Sequence, residues 1–485
     1  MHVSVGVACL CAALQPAWPA PAGRAYYVDA FDGRDANSGR SPRAAWQTLA
    51  PANKTDFAPG DRLLIRAGAT YQGSLTLHGR GTKGAPILVD RYGFGPLPHI
   101  TVPAGAGAVL SLYNAEYWEV RHLELSGGSL GVFAYVKDFG VGHDLHFSGL
   151  RVHDVSGSTT GDDGGFLCKR EGEDTWFDGL RIEGCTIDHA DRNGILLTDY
   201  PTASDKHHST NVVIRGNRLS DIGGDGIFIL GCNGAVIEGN VLRYAHQRVG
   251  RRPGERACAG IWPHRCNGTI IQFNEVSHTA VGGATIWDSE AFDDDNSCRD
   301  TVFQYNYSHD NAGGFLLVCG GARGTIVRYN ISQNDAIATF SLEGDGTGDV
   351  TVYNNTFYVG PGMTVNLARN TFGAPSGLRF LNNLFYADGT VGYDFGSIED
   401  VSLDHNAFWG DHPNRPLDPH AMLEPPVLVE PGSGGDGVNS LAGYRLQPGS
   451  PLRGAGTTVA DNGGRDFWGQ KLPPGKAPAI GAHNG

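Results

Sequence analysis

The sequence predicts an all-β fold, a single-domain parallel β-helix or solenoid, and three observations carry that expectation. The first is an internal repeat, an alternating apolar/polar strand that ends in asparagine. It reads NVVIRGN to Asn217, AVIEGN to Asn240, TIIQFN to Asn274, TVFQYN to Asn306, TIVRYN to Asn330, VTVYNN to Asn355, GLRFLNN to Asn383 and VSLDHN to Asn406. Successive spacings of 23, 34, 32, 24, 25, 28 and 23 residues mean one short β-coil per repeat, lengthened where loops are inserted. The second is composition: 71 glycines, 3 methionines and 18% charged residues suit turn-rich β structure better than helix. The third is a column of cysteines. Cys232, Cys266 and Cys298 each stand three residues before a repeat strand, which stacks them on consecutive coils.

The repeating asparagines predict an amide ladder, each side chain bonding to the next coil, and that role is structural. The cysteine column allows one disulfide with a thiol left over, or a stack of buried thiols. No CxxC or Cys/His spacing supports zinc. Degenerate copies of the repeat at LHFSGL (to Leu150) and GLRIEGC (to Cys185) extend the coils toward the N-terminus.

The organisation expected along the chain has four parts. Residues 1–22 read as a signal peptide: an apolar core from Val3 to Leu14 precedes Ala20-Pro21-Ala22, although a positive leading region is missing. Residues 23–105 form an N-terminal cap and the first coils, 106–410 the β-helix with its loops, and 411–485 a closing segment. No later apolar run reaches membrane-spanning length. The expectation is an exported, secreted or periplasmic monomer. A net charge of −14 argues against nucleic acid or an anionic membrane as the main partner.

Two terminal stretches carry a family resemblance. YYVDAFDGRDANSGRSPRAAWQTLAPANKTDFAPGDRLLIRAGATYQGSLTL resembles the N-terminal segment of secreted right-handed parallel β-helix proteins of the pectin-lyase-like superfamily, and GSPLRGAGTTVADNGGRDFWGQKLPPGKAPAIGAHNG resembles their closing segment. With the coils between, the resemblance spans the mature chain. It implies a right-handed solenoid and a carbohydrate partner. It leaves open hydrolase, lyase, epimerase and non-catalytic members. The nearest likeness is to glycoside hydrolase family 141 and its neighbours.

After each asparagine comes a turn and a further strand: GILLTD (194–199), GIFILG (226–231), GIWPHR (260–265), ATIWDS (284–289) and GFLLVC (314–319). Aligned, these place Leu196, Phe228, Trp262 and Ile286 in one column and Thr198, Leu230, His264 and Asp288 in another. His264 and Asp288 are then lateral neighbours, an arrangement suited to acid–base chemistry or equally to a surface ion pair. Trp262 and Trp287 flank the pair and suit sugar stacking, with core packing as the plain alternative. Asp225 enters the same strands one coil away, in a Gly-Asp-Gly that is also good turn chemistry. Asp162 and Asp163, in GDDGG, resemble the strand-entry pair of polygalacturonase-type hydrolases, and a turn accounts for them as well. Asp288, Glu290, Asp225 and His264 are the catalytic candidates. Lys169, Asp199 and Arg265, past the strand ends, are candidates for binding substrate together with Trp262 and Trp287.

In the acidic run DSEAFDDD, Asp288 and Glu290 are assigned to the cleft. Asp293, Asp294 and Asp295 are expected as a loop cap or a weak Ca²⁺ site, since their spacing matches no dedicated motif. No cofactor is required. The surplus of carboxylates favours glycoside hydrolysis by paired acids. The alternatives are a uronate lyase using Lys169, Arg265 and His264, with or without Ca²⁺, and a non-catalytic glycan-binding helix.

Overall fold

The computed structural model describes residues 23–199, 206–248, 258–281 and 288–485. The expected signal peptide and Trp287 lie outside them. Alternation of apolar and polar residues folds each repeat as a strand with one side in the core, and every long-range pairing along the solenoid is parallel. One sheet of fourteen strands begins at Ala25–Val28 and ends at Glu399–Asp404. Two further strand positions in each coil complete the turn of the helix. In the coil that starts with Val302–Gln304, they are Tyr307–His309 and Leu316–Cys319. Among the described residues no helix is long and apolar enough to cross a membrane.

The predicted asparagine ladder runs unbroken. Asn306 donates from its backbone and side-chain N–H groups to Asn330 Oδ1 at 2.9 and 3.0 Å, and its other amide hydrogen goes to the Ile271 carbonyl of the preceding coil. The same three bonds recur at Asn217, Asn240, Asn274, Asn330, Asn355 and Asn383. Asn406 ends the series by donating to Asp418 Oδ2 at 2.9 and 3.0 Å. The cysteine column is also present. The Cys232 and Cys266 backbone N–H groups point at the sulfurs of Cys266 and Cys298, at 3.2 and 3.3 Å, and all three are free thiols.

Glycines explain the entry to the third strand. Gly165, Gly194, Gly226 and Gly260 form a column, and a Cβ on any of them would lie 2.3–2.7 Å from the carbonyl oxygen of the next coil. Only glycine fits there. The closing segment packs Leu441, Tyr444, Leu452 and Ile480 against Tyr307, Tyr329 and Ile331. Glu275 anchors it further, accepting from the Gly437 N–H at 3.0 Å and pairing with Arg243 at 2.9 Å and with the buried His309 at 3.5 Å.

Two outcomes follow from this scaffold. Asn306→Ala strands buried donors and acceptors on both neighbouring coils. At about 1–3 kcal/mol for each unsatisfied group, chemical denaturation should show a loss of about 3 kcal/mol or more. Burial alone would lower the His309 pKa, but hydrogen bonds to Asp310 and Glu275 overcome it and raise it to about 9. The ordinary value is about 6.5. Its stabilisation is therefore fully present below pH 6.5 and lost between about pH 6.5 and 9, amounting to about 3 kcal/mol. The urea midpoint should fall across that window, and His309→Gln should fall less.

Candidate active site

The third strands of successive coils carry the cleft. Ile195, Ile227, Ile261 and Phe292 are in register and point into the core. The residues between them point outward. Leu196, Phe228 and Trp262 form one outward column, and His264 follows Leu230 in the next, as the sequence indicates.

The coil after that departs from the sequence alignment. The neighbour of His264 is Asp295, not Asp288. By the same register Asp293, not Ile286, follows Trp262, while residues 284–287 lie outside the described set. Phe292 takes the core position because its ring fills the interior against Phe303 and Phe315, each 5.8 Å away. Asp288 and Ser289 are consequently pushed out of the strand into positive φ, at 57° and 124°. For a serine the second is a strained conformation. It is held by a 2.9 Å contact from His246 Nδ1 to Ser289 Oγ and by the Thr279 hydroxyl on the Ser289 carbonyl at 2.6 Å.

The run Asp293–Asp295 is accordingly not a loop cap. Asp293 and Asp294 belong to the strand Phe292–Asp294, and Asp295 continues its register. Asp294 points inward, where the hydroxyls of Thr325 and Thr301 donate to it at 2.6 and 2.8 Å; burial still pushes its pKa up to about 6. Asp293, Asp295 and Cys319 bring one potential ligand atom each within 4.8 Å. Calcium takes six to eight oxygens, and two outward carboxylates with a thiol do not fit that requirement.

Three carboxyl groups, Asp162, Asp225 and Asp295, line a cavity of about 280 Å³ with Arg192, Trp262 and His264, whereas Asp288 and Glu290, assigned to the cleft from the sequence, are not part of that lining. Asp225 is fully engaged: Arg192 pairs with it at 2.8 Å, and it accepts from the Trp262 indole N–H at 2.8 Å and the Ala259 N–H at 3.1 Å. Burial pushes the Asp288 pKa well above the carboxylate range, and the negative neighbours Glu290, Asp295 and Asp225 push it further. Asp293 is raised by burial and by the same acidic surroundings. Burial lifts Glu290 to about 7 despite Arg369 at 3.7 Å.

Asp295 has a different environment. Its Oδ1 accepts from the Asn296 backbone N–H at 2.7 Å, the Asn296 side-chain amide at 2.6 Å and the Cys319 thiol at 2.7 Å. Three donors on one oxygen fix the group's orientation. Oδ2 faces His264 Nδ1 at 3.8 Å. Burial lowers the His264 pKa, with Asp295 opposing.

The remaining sequence candidates divide. Trp262 borders the cavity, but its ring stacks on Phe228 at 3.6 Å and 8°, so that face is already covered. Asp199 is buried behind the wall, bound to Arg170 at 2.5 Å with Arg265 at 3.9 Å, and so is not an exposed substrate contact. Lys169 does not itself line the cavity, but it stands in register with Thr198, which does. Asp162 lines the cavity, whereas Asp163 accepts from the Ser158 N–H at 2.6 Å, as a turn residue does. Asp295, expected as part of a loop cap, and Cys319 are the site residues that sequence reasoning missed. The signal for the first lay in the triple aspartate, read one strand too early.

Comparisons with known proteins agree with the fold and bear on its chemistry. A family model described as a right-handed β-helix region matches residues 165–357. A lacto-N-biosidase of Bifidobacterium longum is 27% identical over 562 residues, an alignment covering 90% of this chain and 35% of that protein. The chain thus spans about a third of that relative's length. An α-1,3-galactosidase A of Akkermansia muciniphila is 41% identical over a stretch of 64 residues, 13% of this chain and 11% of that one. The crystal structure of a GH136 lacto-N-biosidase from Eubacterium ramulus superposes with a TM-score of 0.63 at 25% identity, covering 72% of this chain and 68% of the other. These matches support the carbohydrate-active resemblance but not the narrower likeness to family 141. The chain is a right-handed parallel β-helix protein with an acidic cleft on one sheet.

Proposed function

We propose that this protein is a glycoside hydrolase in which Asp288 is the general acid and Asp295 the second carboxylate. The carrying observation is the contrast between the two groups. Asp288 is buried among other acids that favour its protonated form. Asp295, which lines the cavity, is anchored as an acceptor by three donors. Glycoside hydrolysis needs that division. Asp288 gives its proton to the departing glycosidic oxygen. As that bond breaks, positive charge spreads over the sugar's anomeric carbon and ring oxygen. The Asp295 carboxylate stabilises that charge, either by direct attack or by activating water.

Neighbouring residues support both roles. Burial keeps Asp288 protonated, and the nearby acids Glu290, Asp295 and Asp225 reinforce it. Arg192 holds Asp225 in place, and His264, kept neutral by burial, flanks Asp295 without neutralising it. The likeness to lacto-N-biosidases makes an oligosaccharide ending in a lacto-N-biose unit the first substrate to test. Action outside the cytoplasm is part of this reading and rests on the apolar N-terminal stretch. The lyase alternative finds less support, because Arg265 pairs with Asp199 and Lys169, one coil from the lining residue Thr198, does not itself line the cavity.

The deciding experiment uses an aryl lacto-N-bioside and the corresponding natural tetrasaccharide. Asp288→Asn should lose about 10²- to 10⁴-fold in rate on the natural substrate but retain most activity on an aryl glycoside whose leaving group needs no proton. Asp295→Asn should lose activity on both. Equal loss on both substrates in Asp288→Asn would remove it as the acid. Full activity in both variants would remove both residues from the chemistry, and an inactive unsubstituted protein would favour the non-catalytic reading.

The pH profile offers a second check. Asp225→Asn removes a negative neighbour, so Asp288 ionises more readily and its pKa falls. The alkaline limb of kcat/KM should therefore move to lower pH. A limb that stays in place would dissociate Asp225 from the acid.

A further inference from the structure

Away from the cleft, three consecutive coils bring His99, Glu124 and His153 to one outer face. His99 opens the strand His99–Tyr113, Glu124 opens Glu124–Lys137, and His153 lies in Arg151–Val155. His99 pairs with Glu124, and His153 with Ser126 two residues along the same strand. One nitrogen of each imidazole and one oxygen of Glu124 lie within 4.8 Å of one another, and all three residues are half-buried. We propose that these side chains form a binding site for a divalent transition cation of the zinc class, which clips three coils together.

The donor set argues for that class. Two imidazoles and one carboxylate suit borderline cations such as Zn²⁺ and leave a fourth position for water. His153 Nε2 already stands 3.0 Å from Glu124 Oε1, and the two imidazole rings stack 5.8 Å apart. The surroundings are those of a ligand as well. His153 Nδ1 contacts Asp154 Oδ2 at 2.7 Å, which orients the ring with Nε2 toward the site, as an outer carboxylate does for a metal-bound histidine. Asp154 reaches that position through a left-handed backbone, φ 52°. His99 Nε2 lies 2.7 Å from Ser126 Oγ, which in turn donates to Thr101 Oγ1 at 3.0 Å.

One group opposes binding. Arg151 Nη1 pairs with Glu124 Oε1 at 2.6 Å, and its side chain is 53% exposed. A cation must displace that guanidinium into solvent, so the site is in competition with an ion pair, and the two outcomes of mutation have opposite signs.

The test titrates Co²⁺ into the chelator-treated full chain and follows its visible ligand-field bands. The free cysteines are a competing donor set, recognised by a thiolate-to-cobalt band in the near ultraviolet. The expected result is about one equivalent bound without the thiolate band and displaced by Zn²⁺. Glu124→Gln and His153→Ala should weaken binding about tenfold or more, Asp154→Asn about 10- to 100-fold, and Arg151→Ala should tighten it severalfold. Circular dichroism checks each fold; should His153→Ala misfold, Glu124→Gln and Arg151→Ala decide. Absent binding, affinity indifferent to these substitutions, or a spectrum dominated by the thiolate band would overturn the proposal.

Discussion

The side-chain amide of asparagine, repeated once per coil, is the constraint on which the rest of the molecule depends. A tight turn between two strands exposes backbone groups that cannot reach the sheet ladders. Buried, each would be costly without a partner. Asparagine answers with one short side chain that donates both to the preceding coil and to the next amide. Because every member does the same, the turns stack at one spacing, and the strands on either side inherit a common register. The cleft residues are aligned by that inheritance.

The functional coil departs from this regularity at a definite place. The strand before it ends at Ser277, and Phe292 takes the core slot of the next described strand, while Asp288 and Ser289 lie outside it at positive φ, with Ser289 strained. Several carboxyl groups are then held close in low-dielectric surroundings, where burial and mutual repulsion raise Asp288, Asp293 and Glu290 above their ordinary range. Such a group is expensive for stability and is sustained by the rigid coils on both sides. The contrast within the cluster matters more than its size. One carboxyl is kept from ionising, and another has an oxygen filled by donors.

Much of this was legible in the sequence, and the parts that were not have a physical explanation. Asn217 through Asn406 recur at one place in the pattern, so the ladder and the first sheet could be read directly. Cys232, Cys266 and Cys298 gave the same register independently. Ile195, Ile227 and Ile261 were aligned correctly because their glycines mark each strand entry. The next coil offers two apolar–acidic segments, IWD and AFD, and only packing volume in the core chooses the second. That choice exchanged Asp288 for Asp295 beside His264. Pairings such as Arg192 with Asp225 and Arg170 with Asp199 join residues a full coil apart and have no local signature.

The last member of the ladder sets a limit on the solenoid itself. An asparagine both receives and hands on, so it can be followed by another copy indefinitely. Asp418 only receives. A carboxylate at that position closes the directional chain of donors, and the segment beyond it turns back over the tyrosines of earlier coils. Coil number is thereby written in the chemistry of one residue. Extra repeats inserted ahead of Asp418 would find a ready socket at each end, whereas repeats appended after it would meet a terminus with no hydrogen to offer.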